Sequence, residues 1–418
     1  MLKLITGIGL AFVFVGIVMA QETNSRTADD IVVTATRTEA SRTDLPASMI
    51  VIAGDTIDGS TALTVARLLE KEAGIDILGG NLPGARAKVN LRGMTPGYQT
   101  KRALLLIDGR RANDQFQGNV ELALLPLHGI SRIEVLRGPA SALYGSNAMG
   151  GVINIVTKRA EGNPFVSIET VVGSFGTYEV RAGHGQVTGG LDYYLDAGTF
   201  ETEGHTDNSD GTDRDWFGSR WDGNCGYRIS GQESIRCFAG EYYAEGNEES
   251  SERDVKKDYQ SMVYSRDWEI SRLEELYVQI YRTGKRSIYE WKYPGSGIYR
   301  QQSVAAEGRQ TLWVADRHKL TFGGEIREDG VDVDDTIGSI DEEMFISAYY
   351  LQDECYLSEL ISIIAGLRQD YNEDYGREWS PRVGLTVHLS PDAEIFASYN
   401  QAHRAPALSD RFVNTEYN

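Results

Sequence analysis

Six histidines are the first residues to test for chemistry: His128, His184, His205, His318, His388 and His403. None sits in an HExxH pair or beside a local nucleophile, so neither a zinc hydrolase nor a triad enzyme is written here. The glycine-dense stretch Gly138–Gly151 invites a phosphate cradle. It lacks GxxxxGK[ST], however, and it runs into a β-branched segment where a nucleotide loop needs a helix. Asp108 precedes Gly109 after an apolar run, which favours a type I′ hairpin turn over a catalytic carboxylate. The chain therefore reads as a non-enzyme. Two polar groupings remain. Asp207, Asp210 and Asp213, with Asn208 and Ser209 between them, put oxygen ligands around a Gly turn, which suits Ca²⁺; the rival is a solvated acidic loop. Asp30-Ile31-Val32-Val33-Thr34 breaks a polar tail with an exposed strand edge able to recruit a partner strand, against the rival of a strand paired within its own domain.

The scaffold for these residues follows from composition. A net charge of -20 excludes nucleic-acid binding, since phosphate contacts need clustered Lys and Arg. Residues 1–20 carry Lys3, an apolar run and Val18-Met19-Ala20, which reads as a cleaved secretory signal peptide. An exported chain with no other apolar span is periplasmic, secreted or a β-barrel. Three cysteines leave an odd count. Cys225 and Cys237 stand symmetrically about Gly231 and face each other if the hairpin turns there; a disulfide and two thiols are both open.

Residues 21–45 read as a polar tail with the strand-like segment 30–37, and residues 46–159 as an α+β domain. Its expected elements are strands at 47–53, 75–78, 89–92, 103–107, 132–136 and 152–157, with a helix from Ser60 or Thr61 through Glu72. Residues 160–418 alternate in polarity with turn residues between, the signature of a membrane barrel. At ~10 residues per strand plus links, that length holds about 12 to 14 strands. Strands are expected near 165–172, 178–184, 192–201, 234–244, 276–286, 319–327, 344–353, 361–369, 381–388 and 394–400, and less distinctly at 261–267 and 310–315. Acidic stretches 203–215, 245–258 and 328–343 read as long outer loops, with short turns at 173–176 and 185–190 on the opposite side. Aromatic residues such as Tyr193, Tyr194, Trp216, Phe217, Tyr242, Tyr243, Tyr349 and Tyr350 fall where interfacial girdles belong.

The string Arg132–Lys158, RIEVLRGPASALYGSNAMGGVINIVTK, together with VNLRG and LLLIDGRR before it, resembles the plug domain of TonB-dependent outer-membrane receptors. Tyr399–Pro406 resembles that family's mid-barrel YxxxFRAP segment, with His403 in place of Phe. The resemblance implies a mainly β fold: an amino-terminal plug followed by an antiparallel barrel that closes with 22 strands in the family, so the chain is expected to be carboxy-terminally truncated. It implies a protein of the bacterial outer membrane, set in lipid, importing a scarce ferric siderophore or cobalamin. Asp30–Thr34 would be the TonB box, pulled by TonB and its inner-membrane motor. Plug loops 82–86 and 113–118 would face the ligand through Leu82, Arg86, Asn113, Asp114, Gln115 and Phe116. Arg92 and Arg137 would pair with barrel carboxylates. A haem receptor, with His403 as a candidate iron ligand, and a non-functional fragment are the alternatives within the family. A passive porin or a surface adhesin leaves the plug unexplained.

Overall fold

A computed structural model of the chain describes residues 11–19, 31–32, 37–38, 40–41, 46–62, 64–72, 74–79, 87–93, 102–122, 125, 127–204, 215–248, 251–268, 273–291, 295–336, 338–390 and 393–412. The amino-terminal part contains strands β1 (Ala11–Met19), β2 (Ile31–Val32), β3 (Ala40–Ser41) and β4 (Ser48–Ala53), then helices α1 (Gly54–Asp58) and α2 (Val65–Leu69). It continues with β5 (Ile75–Gly79), β6 (Ala87–Leu91), β7 (Ala103–Ile107), β8 (Arg110–Arg111), β9 (Ile130–Arg137), α3 (Ser141–Tyr144) and β10 (Gly151–Thr157). A five-stranded sheet runs β4-β9-β10-β7-β8. Its central strands are buried on both faces, so they read as near-continuous apolar runs rather than alternating ones. One face packs Ile133, Val135, Ile153 and Leu105 against Val65, Ala66 and Leu69 of α2. The other packs Leu104, Leu106, Leu136 and Val152 against Leu143 and Tyr144, and against Tyr350 and Ile364 of the second domain.

Asp108 and Gly109 have φ of 47° and 81°, the positive pair that a two-residue I′ turn needs, and Ile107 pairs with Arg110 across it. The Asp108 carboxylate accepts from the Thr157 backbone N–H at 3.0 Å, a structural role. The glycine-dense stretch holds a single helical turn, α3, between two strands that pair directly, Arg137 with Gly151. At Gly151 φ is +146° and an added Cβ would strike the Leu136 backbone, so only glycine lets the two strands meet there. The helix expected from Ser60 or Thr61 begins instead at Val65. Thr64 caps it, accepting from the Arg67 N–H at 3.3 Å, while Ser60 is spent on the Ala62 N–H.

The second domain is an antiparallel meander. It comprises β11 (Phe165–Val172), β12 (Tyr178–Thr188), β13 (Leu191–Thr202), β14 (Trp216–Arg228), β15 (Glu233–Glu248), β16 (Ser251–Asp267) and β17 (Leu273–Trp291). It ends with β18 (Ser296–Val314), β19 (His318–Asp335), β20 (Gly338–Ser358), β21 (Ile361–Asn372), β22 (Gly376–Ser390), β23 (Ala393–Gln401) and the short helix α4 (Leu408–Phe412). Each strand pairs with the next. β1, the apolar run read above as part of a leader, lies antiparallel on β23, from Ala11 opposite Gln401 to Met19 opposite Ala393. A Val- and Phe-rich stretch has strand propensity, and β23 presents it a ladder of backbone donors and acceptors.

Two readings of the connections need correction. The acidic stretches 245–258 and 328–343 are strand, not loop: β15 meets β16 through two residues, and β19 meets β20 just as tightly. β20 is 21 residues long, against the ~9–11 that cross a bilayer. The inward faces of these strands bury polar residues such as Ser251, Arg253 and Asp329 while their outward faces carry further charges, so the polarity alternation that marks a membrane strand fades while the backbone ladder persists. The turn at 173–176 lies at the same end as the connection 203–215, because the Glu203 N–H donates to the Phe175 carbonyl. The short connections at the opposite end are those after β12, β14, β18, β20 and β22.

Within the spanning parts the polarity is inverted. Tyr349 and Leu351 point out while Tyr350, Gln352 and Glu354 are buried inside. The adjacent aromatic pairs split the same way. Tyr194, Trp216, Tyr242 and Tyr350 face in, and Phe217 and Tyr349 face out, so only part of the expected girdle is on the surface. Apolar side chains outward and charges inward is the order that lipid outside and a polar filling inside require.

Cys225 stands directly opposite Cys237, as the symmetry about Gly231 anticipates, and both are exposed free thiols. Near the turn the Ile229 N–H donates to the Glu233 carbonyl. Counting by twos from that pair makes 225/237 a hydrogen-bonded pair, whose wider Cβ separation suits a disulfide poorly. Both thiols should therefore be alkylated by maleimide without prior reduction. Mass spectrometry finding them blocked would overturn this.

Candidate ligand-binding site

The plug sheet lies inside the barrel wall, and the two touch through charges that composition hides. Glu121, 2% exposed, follows Val120 in an otherwise apolar run. Three barrel cations converge on it: Arg253 at 2.7 Å, Lys285 at 2.8 Å and Lys257 at 3.0 Å. Burial alone would raise the Glu121 carboxyl, but Lys257, Lys285 and Arg253 outweigh it and hold it well below the usual carboxylate range. A second junction joins Arg111 to Glu325 at 3.5 Å. Arg368 in turn binds Glu325 at 3.1 Å and the Leu143 carbonyl at 2.8 Å. Arg37 pairs with Glu307 and stacks over Tyr144 and Tyr350. His128 meets Asp196.

Above the Glu121 cluster, toward the end with the long connection 203–215, lies a cavity of about 200 Å³. The plug supplies its floor through Asp114, Phe116 and Gln117, and β17 and β18 supply the wall, including Tyr289, Trp291, Tyr299 and Gln301. Phe116 stands 5.7 Å from Tyr299, Tyr299 is edge-on to Tyr289 at 5.3 Å, and Tyr289 stacks on Trp291 at 6.2 Å. The Phe116 N–H donates to Gln301 Oε1 at 3.0 Å. Lys285 has both Asp114 and Glu121 as partners. Aromatic faces with a few convergent amides and hydroxyls make a site for a large ligand that presents flat apolar surface.

The residues expected at the ligand divide. Asp114 and Phe116 line this cavity, and Gln115 faces a smaller void beside it. Asn113 is a brace: its Oδ1 accepts from the Leu105 N–H and its Nδ2 donates to the Ala103 and Gly118 carbonyls. Leu82 and Arg86 lie outside the described residues, as do Asp207, Asp210 and Asp213. Among the described residues no cluster of three His, Cys, Asp or Glu is placed to hold a metal ion. Arg92 is exposed and Arg137 half-buried, with the Arg92 guanidinium beside Gly138 and that of Arg137 beside Gly74. His403 contacts the Ser380 hydroxyl at 3.1 Å and Asp370 at 3.8 Å. Ile31 and Val32 pair with Ser41 and Ala40 in a sheet of only these two strands; Asp30, Val33 and Thr34 lie outside the described residues. The sequence carried one missed signal, a lone acid in the apolar run Val120–Leu125. Its three cations are spread over two strands and could be found only from the fold.

Two family models account for the chain: the TonB-dependent receptor plug domain over residues 41–152, and the TonB-dependent receptor-like β-barrel over 163–418. The chain belongs to the TonB-dependent receptors. This is a family of receptors and not of enzymes. An iron-regulated outer membrane virulence protein of Vibrio cholerae is 26% identical over 437 residues, covering 96% of this chain and 63% of that protein. The vitamin B12 transporter BtuB of the same species is 26% identical over 435 residues, covering 99% of this chain and 68% of the transporter. The receptor chain thus spans about two thirds of the length of these relatives. Among solved structures, the siderophore receptor PirA from Acinetobacter baumannii superposes with a TM-score of 0.72 at 19% identity, over 86% of this chain and 61% of that one. The shared fold is a plug within an antiparallel barrel.

Proposed function

We propose that this receptor takes part in energised import of a scarce ligand, a ferric siderophore or cobalamin, across the bacterial outer membrane. The observation that carries the reading is the cavity floored by the plug and walled by the barrel. A ligand seated there touches the element that must move to admit it. The relative named as a vitamin B12 transporter supports cobalamin among these cargoes. The outer membrane holds no ATP, so the work must arrive through a partner. β2, whose one neighbouring strand among the described residues is β3, is the handle we assign to TonB. Uptake of labelled cobalamin and of a ferric catecholate siderophore, in cells with and without TonB, tests the proposal. Accumulation of neither, or equal accumulation in both strains, sinks it.

The cavity makes its own prediction. Burying a Phe side chain is worth about 1.5–3 kcal/mol, which corresponds to a ten- to hundredfold change in affinity. Phe116→Ala and Tyr299→Ala should each weaken equilibrium binding of the imported ligand by at least about tenfold. Asn113→Ala should instead lower the stability of the plug. If both aromatic variants bind as the parent does, the ligand sits elsewhere. For the Asp207–Asp213 loop, protection from proteolysis on adding millimolar calcium is the test of a bound ion; no change leaves a solvated loop.

A further inference from the structure

A second cavity, about 230 Å³, lies between the plug and the barrel on the short-turn side of the Glu121 cluster. Its lining differs in kind from that of the outer chamber. Six arginines face it against three carboxylates, Asp108, Glu307 and Glu325. Arg37 and Arg111 use two of those acids. Three of the others draw their partners from outside the lining: Arg132 from Glu134, Arg236 from Asp192 and Arg309 from Glu275; the fourth, Arg159, lies in the field of Asp108 and Asp192. The carboxylates that neutralise Arg132, Arg236 and Arg309 therefore stand behind the wall, and the wall itself presents N–H groups. Behind that wall, two further N–H groups are unspent. The Nε of Arg37 and the Nε of Arg309 are both buried and have no hydrogen-bond acceptor among the described residues. A buried guanidinium N–H without an acceptor is costly, and an entering oxygen anion is the group that would relieve it.

We propose that this inner cavity is a second ligand station, selective for oxygen anions such as carboxylates and catecholates, and distinct from the aromatic outer chamber. The proposal rests on the import reading for its place on a route but not for its chemistry. Arg37 follows the β2 handle by five residues, so tension on that segment would withdraw one of the two arginines that hold the anion. A station that loses a cation when pulled releases its cargo on the far side.

The probe is 2,3-dihydroxybenzoate, an anionic catechol, with neutral catechol as its control, titrated against the detergent-solubilised receptor by calorimetry. The anion should bind saturably and the neutral analogue at least tenfold more weakly. Arg309→Gln should reduce anion binding about tenfold and Arg309→Lys only slightly. Because Arg309→Gln removes a partner of Glu275, Ser265→Glu provides an independent test. It adds a carboxylate to the lining without touching an arginine, and it too should weaken the anion. Lys256→Ala, in a surface ion pair with Glu241 outside both cavities, should change nothing. The proposal is overturned by no saturable binding, by equal binding of neutral catechol, or by loss with Phe116→Ala but not with Arg309→Gln. Import failing while the anion still binds would sink the transport reading alone.

Discussion

Replacing Glu121 by Gln should loosen the plug from the barrel wall. The amide keeps the shape of the carboxylate but leaves Arg253, Lys257 and Lys285 converging on a neutral group. Arg253 is fully buried and Lys285 nearly so, and neither can recover its hydration without moving the plug. Breaking a buried ion pair from one side costs about 3–5 kcal/mol, because the charge left behind is uncompensated. We expect that loss in the unfolding free energy of the plug, with protease cleavage inside residues 102–122. Lys285→Met alone leaves Glu121 two cations, and the double variant should cost less than the sum of the singles. Low pH should not imitate the substitution. The Glu121 carboxyl is held below its unfolded value, so its contribution is present above the unfolded pKa and is lost only as pH falls through the depressed folded one. At about pH 4, near the unfolded carboxylate value, the latch should still hold. A denaturation midpoint unchanged in Glu121→Gln would show that the cluster does not hold the plug in place.

What the sequence revealed follows from which signals are local. The Arg132–Lys158 string, the Asp108-Gly109 turn and the facing cysteines are settled within a few residues, and each appears where it was read. β11 matches its expected bounds residue for residue, because Phe165–Val172 lies between clear turn residues. The long strands were shortened in the reading for a physical reason: Glu245–Asp258 and Glu328–Glu343 carry charged residues on both faces, so their sequence looks like loop while their backbones remain paired. The site was half legible. Asp114 and Phe116 came from a plug loop that a family resemblance could point to. Tyr289 and Tyr299 lie on different strands, and only the register between β17 and β18 brings them to one cavity. The same holds for the Glu121 cluster, whose partners are 132 to 164 positions away in the chain, and for the arginines of the inner cavity.

Val32→Pro should abolish import while leaving ligand affinity at the outer chamber unchanged. Proline removes the backbone N–H and fixes φ, so a strand carrying it cannot complete a ladder with an added partner. The complication is that Val32 already pairs with Ala40, so a loss of import could reflect damage to that small hairpin instead. Ala40→Pro separates the two. It disturbs β3 but leaves β2 able to pair with an incoming strand. If the β2–β3 pairing only holds the handle in readiness, Ala40→Pro should import normally, and Val32→Pro should fall to the level of cells lacking TonB. Losing one ladder hydrogen bond and leaving its acceptor unpaired costs about 1–3 kcal/mol, which corresponds to roughly fivefold to a hundredfold weaker capture. Pulldown of the receptor by the periplasmic domain of TonB should show that loss for Val32→Pro and not for Ala40→Pro. Equal loss in both would make the intact hairpin the element recognised. Normal import by Val32→Pro would remove residues 30–34 from the role, leaving Arg37 and its Glu307 partner as the nearest described contact through which a pull on the amino-terminal segment could reach the barrel wall.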